Sequence, residues 1–219
     1  MIPLSLRMKR ESHRAIAAAQ DVILKEVYQH FDKAVLHGGT AIWRCYQGKR
    51  FSEDLDFCFP KDPPKIQALF ASLEKQGFRV RKRKIGERSV YSELEMNRVA
   101  VRLEATFQKL SGHLTDYETA DGNFVTVYSL TPEAFIAEKA RAYLQRGKVR
   151  DLYDIFFLLK RVTRFPEVKK ELQSFLKSYA PPVDELDLKA LILEGPAPSA
   201  REMLDSIQRT WENANISTA

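Results

Sequence analysis

Residues 34–59 constrain the fold of this chain more than any other stretch. An apolar triplet, Ala34-Val35-Leu36, runs into Gly38-Gly39-Thr40, and Asp54 to Phe59 then alternates strictly between acidic or polar and bulky apolar residues. The triplet reads as a short buried strand and the glycines as a tight turn. A helix follows, with Ile42, Cys45 and Tyr46 inward. In the alternating segment Leu55, Phe57 and Phe59 share one face of a strand, so Asp54 and Asp56 stand together on the other. Strand, turn, helix and strand in this order call for a sheet with helices packed on it, which is the α/β class.

The rest of the chain extends this picture. Ile16, Ala19, Ile23, Val27 and Phe31 recur at helical spacing from Ser12, which is positioned to cap the helix. Pro63-Pro64 open a second long helix with Ile66, Leu69, Phe70 and Leu73 inward, and Gly77 ends it. Phe78 to Phe107 is basic and strand-rich, with Val99, Val101, Leu103 and Ala105 on one face. A strand at Phe124 to Tyr128 precedes Thr131-Pro132, a cap and first-turn pair. From there the pattern is helical. Gly147 separates two helices, and Ser199 with Glu202 makes a capping box for the last. An α/β half followed by a helical half is therefore expected, joined near residue 130.

Composition excludes several classes. At 44% apolar and 29% charged residues the chain is an ordinary globular protein. No apolar run approaches the ~20 residues of a membrane helix, and Met1 to Arg14 lacks an apolar signal segment, so a cytoplasmic location is expected. Cys45 and Cys58 form no CxxC pair, and the scattered histidines show no HExxH spacing. The net charge of +6 suits a polyanionic partner such as RNA, or an acidic protein. The densest positive run, Arg79 to Lys84 joined by Arg88, has two readings. It protects a sheet edge from pairing, or it grips a nucleic-acid backbone.

Paired carboxylates on one strand face repel each other and invite a hard divalent cation. Glu104, beside the inward Leu103, supplies a third if its strand neighbours the first; three carboxylates around two Mg²⁺ ions is the equipment of in-line phosphoryl or nucleotidyl transfer. Taken alone, DxD on a polar face is solvated surface and Gly-Gly is a turn. Together they set helix N-terminal N–H groups near paired carboxylates, which meets both needs of a triphosphate.

These residues resemble the nucleotidyltransferase superfamily. More narrowly, GGTAIWRCYQGKRFSEDLDF at residues 38–57 resembles the AbiEii/AbiGii toxin family, whose signature runs Gly-Gly-Thr-Ala and then Arg-x-Ser-x-Asp-Leu-Asp, here Arg50, Ser52, Asp54, Leu55 and Asp56. Thr40 replaces the serine common in the wider superfamily and keeps the hydroxyl, and the stretch from Thr40 to Asp54 is longer than in minimal members. A second block resembles the family's later motif: Glu138-Lys139, then Arg146-Gly147-Lys148-Val149-Arg150-Asp151-Leu152-Tyr153-Asp154. The resemblance covers roughly residues 34–160.

The resemblance implies a polymerase-beta-like nucleotidyltransferase core with a mixed sheet over residues 1–130. A helical C-terminal lobe, residues 131–219, would close a nucleotide cleft. It implies Asp54, Asp56 and Glu104 as ligands of Mg²⁺ or Mn²⁺, with Glu93 and Glu95 as rivals for the third place. Gly38, Gly39, Thr40, Arg50 and Ser52 would bind the NTP, with Gly39 and Thr40 at the β and γ phosphates. Lys139 and Asp151 carry over as catalytic, and Lys148 and Asp154 as nucleotide-contacting. On a helix, Phe135, Lys139, Ala142 and Arg146 form one stripe, while Arg150 and Asp154 are a helical pair, so a structural ion-pair network rivals catalysis in this block. The implied activity is NMP transfer to RNA, at the 3′ end of tRNA, by a toxin restrained by an antitoxin. Transfer to a protein or small-molecule hydroxyl, or a non-catalytic binding module on the same fold, are the alternatives.

Overall fold

Strand and helix patterns alternate up to about residue 130 and helical ones follow, and the structure divides at Ser129–Leu130 into two compact units. The structure, a computed structural model, describes residues 3–216. The first unit contains α1 (Leu4–Arg7), α2 (Glu11–His30), β1 (Val35–His37), α3 (Gly38–Cys45), β2 (Leu55–Phe59) and α4 (Pro63–Lys75). They are followed by β3 (Arg79–Ile85), β4 (Ser89–Met96), β5 (Val99–Phe107), β6 (His113–Glu118) and β7 (Phe124–Ser129). The strands form one seven-stranded sheet, ordered β3-β4-β5-β2-β1-β7-β6. It is mixed: β2 runs parallel to β5 and β1 to β7, and the other pairs are antiparallel. The fold class is α/β, as the alternation required.

One face of the sheet carries the core. Leu55, Phe57 and Phe59 of β2 and Val101, Leu103 and Ala105 of β5 are buried, and so are Ile23 and Val27 of α2 and Ile66, Leu69, Phe70 and Leu73 of α4. Each such side chain contributes about 1.5–3 kcal/mol on leaving water, so this face sets the register of the strands. Asp62 caps α4 by accepting from the Lys65 N–H at 3.1 Å. Helix α2 begins one residue before the expected cap. Arg10 takes the cap position without a side-chain bond, and Ser12 lies exposed inside the first turn behind Glu11, whose charge suits that helix end. Strand β6, His113-Leu-Thr-Asp-Tyr-Glu118, was not expected, because its outer residues are polar and only pairing with β7 makes it a strand.

The second unit is helical: α5 (Pro132–Arg146), α6 (Val149–Leu159), α7 (Lys169–Lys177), α8 (Leu188–Leu191) and α9 (Ala200–Ile216), with two short 3₁₀ turns. Thr131 caps α5, accepting from the Ala134 N–H at 3.2 Å, and Gly147 ends it at φ +60°. Ser199 and Glu202 exchange the two bonds of the expected capping box. Among the described residues no helix is long and apolar enough to cross a membrane.

Glu133 ties the two ends of this unit's first hairpin. It is 3% exposed and accepts the backbone N–H groups of Thr163 at 2.9 Å and Arg164 at 3.0 Å. Burial opposes ionisation, but these donors outweigh it and pull the carboxyl down to about 2. A group depressed on folding stabilises above its unfolded pKa and loses that contribution as pH falls through the folded one. Stability from Glu133 should therefore be complete above about pH 4.5 and vanish towards pH 2. Melting curves of Glu133→Gln should be flatter than wild type across that window and lie lower at neutral pH, by about 1–3 kcal/mol.

Candidate active site

The site begins where β1 meets α3. His37 is extended, Gly38 turns at φ +72°, and α3 starts there. In the sheet His37 lies opposite Asp56 on one side, and Glu104 lies opposite Asp56 on the other. Directly opposed residues share a face, so Asp56 and Glu104 are neighbours on the face away from the core. A Cβ on Gly38 would sit 2.0 Å from Oδ2 of Asp56, and one on Gly39 would sit 2.6 Å from Nη2 of Arg50 and 2.7 Å from Oγ of Ser52. The two glycines thus let a carboxylate close on the start of α3 while a buried guanidinium and a hydroxyl pack beside it. Gly38→Ala should displace Asp56 and strain a left-handed backbone, lowering stability by about 1–3 kcal/mol and any activity that needs Asp56 in place. Parallel melting and rate measurements check both effects.

Thr40 follows the two glycines in the first turn of α3. It is fully buried, and its hydroxyl donates to the carbonyl of Asp54. Gln20 of α2 reinforces the same point by donating to the Ser52 carbonyl at 3.0 Å. The Thr40 hydroxyl therefore fastens the approach to β2 onto α3.

Asp54 precedes β2, and its carboxylate is clamped by Arg102, with Nε to Oδ1 at 2.6 Å and Nη2 to Oδ2 at 2.8 Å. The rivals of Glu104 lie on β4, one strand further from β2. Glu93 accepts from the Tyr91 hydroxyl at 2.5 Å, and Glu95 pairs with Arg81 at 2.7 Å. Glu104 is thus the glutamate on the strand adjoining the aspartates. The donors are hard carboxylate oxygens, which suit a divalent cation such as Mg²⁺. Among the described residues no three His, Cys, Asp or Glu side chains are gathered as a metal-holding group. Arg102 engages both oxygens of Asp54. Next along β2, burial pushes the Cys58 thiol up, yet hydrogen bonding and charge from His37, with Thr106 and Gln108, leave it below its ordinary value.

The second block forms its own cluster in the helical unit. Lys139 of α5 is 5% exposed, and its Nζ lies 3.2 Å from Asp154 and 3.8 Å from Asp151, both fully buried on α6. Arg146 donates twice to Asp151, at 2.7 and 2.8 Å. Lys148 is apart from this group, 3.5 Å from Asp184, whose other oxygen accepts the Val149 N–H at 2.7 Å.

Sequence reasoning overlooked Arg102, Tyr91 and His37. Alternation along β5 and β4 puts Arg102 and Tyr91 on the face of Glu104, but only strand order brings them to the aspartates.

Residues 22–214 match the family described as nucleotidyl transferase AbiEii toxin, type IV TA system. No curated protein matches the chain significantly. Among solved structures the chain is similar to MenT4, a nucleotidyltransferase toxin of Mycobacterium tuberculosis H37Rv. That match has 21% identity and a TM-score of 0.63, and covers 92% of this chain and 84% of that one. JHP933 of Helicobacter pylori matches at 18% identity and a TM-score of 0.63, over 95% and 96%. A further H. pylori structure, described as a nucleotidyltransferase, matches at 20% and 0.67, over 93% and 96%. At these identities the likeness speaks for the fold.

Proposed function

The chain belongs to the nucleotidyl transferase AbiEii toxin family of type IV toxin–antitoxin systems, and from that premise we propose that it transfers NMP from an NTP to the 3′ end of tRNA. The observation that carries this reading is the pairing of Asp56 with Glu104 on adjoining strands, at the start of α3. An acceptor hydroxyl attacks the α-phosphorus, its bond forms as the bond to the bridging oxygen breaks, and pyrophosphate leaves with that electron pair. The acceptor proton passes to solvent.

Asp56 and Glu104, joined by Asp54, would hold Mg²⁺ or Mn²⁺. When bound, such an ion offsets charge on the phosphate oxygens and lowers the pKa of the attacking hydroxyl. The first N–H groups of α3, with Arg50 buried beside Gly39, make the end of this helix positive and suit the triphosphate. Gly38, Gly39, Arg50 and Ser52 are assigned to nucleotide binding as the frame of that helix end. The Thr40 hydroxyl positions Asp54, and its backbone N–H is one of those at the helix end.

Lys139 is assigned to the reaction on family membership. Asp151 and Asp154 position its ammonium, and Lys148 supports the start of α6 through Asp184. Family membership also implies an antitoxin as the protein's partner.

The test is incubation with Mg²⁺, each α-³²P-labelled NTP in turn and total tRNA, beside Asp54→Ala/Asp56→Ala. Label in RNA from the wild type alone supports the reading and identifies the nucleotide. Unlabelled RNA with intact Mg²⁺-dependent NTP binding redirects the activity to protein or small-molecule hydroxyls. Loss of NTP binding by the wild type removes the enzyme reading.

A further inference from the structure

The basic run at residues 79–84 lies on β3, the end strand of the sheet, and the structure sorts its charges by face. Arg83 turns to the helix side, its guanidinium 5.1 Å from the Phe70 ring centroid. Lys82 and Lys84 are exposed, and they lie opposite Glu93 and Tyr91 of β4. Tyr91 in turn lies opposite Glu104 of β5, and Glu104 lies opposite Asp56 of β2. Directly opposed residues point to the same side. Lys84, Tyr91, Glu104 and Asp56 therefore form one row across four strands, on the face bearing the carboxylates. The row spans three strand spacings, about 14 Å. At its outer end Lys82, Lys84, Gly86, Ser89 and Tyr91 line a hollow of about 350 Å³. Its charged lining is wholly positive, and Tyr91 supplies an aromatic wall with the Lys82 Nζ 5.1 Å from the ring centroid.

We propose that this row is the path of the acceptor: a single-stranded RNA end crosses the sheet edge, stacks a base on Tyr91 and seats phosphates on Lys82 and Lys84, so that its terminal hydroxyl reaches Asp56 and Glu104. The proposal rests on the polynucleotide-transfer reading above. Its chemistry is that of single-strand recognition, an aromatic platform for a base and cations along the backbone. Lys82 and Lys84 supply the complementary charge, and the hollow falls within the size range of small-ligand sites. An edge strand needs charge against pairing as well, but that need is indifferent to face. The face-sorted lysines beside an aromatic ring are what a strand guard does not require.

The test uses the full chain, its transfer rate as a function of tRNA concentration, and anisotropy of a short 5′-labelled single-stranded RNA across salt concentrations. Lys82→Ala/Lys84→Ala should raise KM for RNA and flatten the salt slope by about 1.4, two single-strand phosphate contacts. Lys169→Ala/Lys170→Ala, which removes the same charge from exposed positions on α7, should change neither. Tyr91→Leu should weaken RNA binding about tenfold, whereas Tyr91→Phe, which keeps the ring and loses the hydroxyl, should bind like wild type. KM for the NTP should stay unchanged in all of them.

Wild-type transfer to RNA with RNA binding unaltered in the β3 and Tyr91 variants overturns this path and leaves the proposed function standing. Equal weakening by the α7 control overturns it too, because charge alone would then be the cause. Polyglutamate competing as well as oligoadenylate would mark a surface for acidic polypeptides and overturn it. Failure of the wild type to bind RNA at all overturns both readings.

Discussion

Asp56→Asn is expected to lower nucleotidyl transfer by roughly 10³-fold while the protein stays folded, with a melting temperature within about 4 °C of wild type. The asparagine keeps the size and planarity that Gly38 accommodates, so α3 and β2 keep their places. What is lost is one negative charge beside Glu104. Like charges directly opposed across strands destabilise a sheet by a few tenths to about 1 kcal/mol, so their retention here is a cost set against function. Single-turnover rates with saturating NTP, next to calorimetric melts, separate the two quantities. A rate within tenfold of wild type would remove Asp56 from the chemistry. An equal loss in rate for Glu93→Gln and none for Glu104→Gln would move the third carboxylate to β4.

The second large effect concerns Lys139. Lys139→Met should destabilise the protein by about 3–5 kcal/mol, on the order of ten degrees in melting temperature. The reason is burial. Asp154 is fully buried and has the Lys139 ammonium 3.2 Å away, and Asp151 keeps two bonds from Arg146 when the lysine is gone. Removing one partner leaves a buried carboxylate without its ammonium, which costs more than the pair contributes. Lys139→Met/Asp154→Leu removes both charges and should recover most of that loss. The double variant decides what the lysine is for. Recovered stability with no transfer assigns the Lys139–Asp154 pair to the reaction, whereas recovery of both makes the cluster a structural network. A single variant cannot separate these, because unfolding and loss of a catalytic group both abolish activity.

Much of the first unit was legible because its signals are local. Phe57 and Phe59 alternate with polar partners, Pro63 and Gly77 bracket a helix, and Thr131 with Pro132 opens another; each depends on residues within one turn or one pleat. The match of Arg50, Ser52, Asp54 and Asp56 to a family signature was equally a matter of spacing. Strand β6 was missed because its edge pairing carries no period of its own. The bond of the Thr40 hydroxyl was hidden for a related reason: a hydroxyl after two glycines suits phosphate or backbone alike, and only packing turned it to the Asp54 carbonyl.

The sequence by itself determined the α/β class, the glycine turn, the acidic strand and the family, since periodicity and motif spacing are properties of neighbours in the chain. The tertiary structure alone decided which groups meet. Parallel pairing of β2 with β5 set Glu104, and neither Glu93 nor Glu95, opposite Asp56 and delivered Arg102 to Asp54. Strand order placed Tyr91 and Lys84 in line with Asp56. Burial on α6 closed Asp151 and Asp154 around Lys139. Those outcomes depend on sheet order and helix packing between residues tens of positions apart. They are set by which apolar faces bury together, and no local pattern of charged residues encodes that choice.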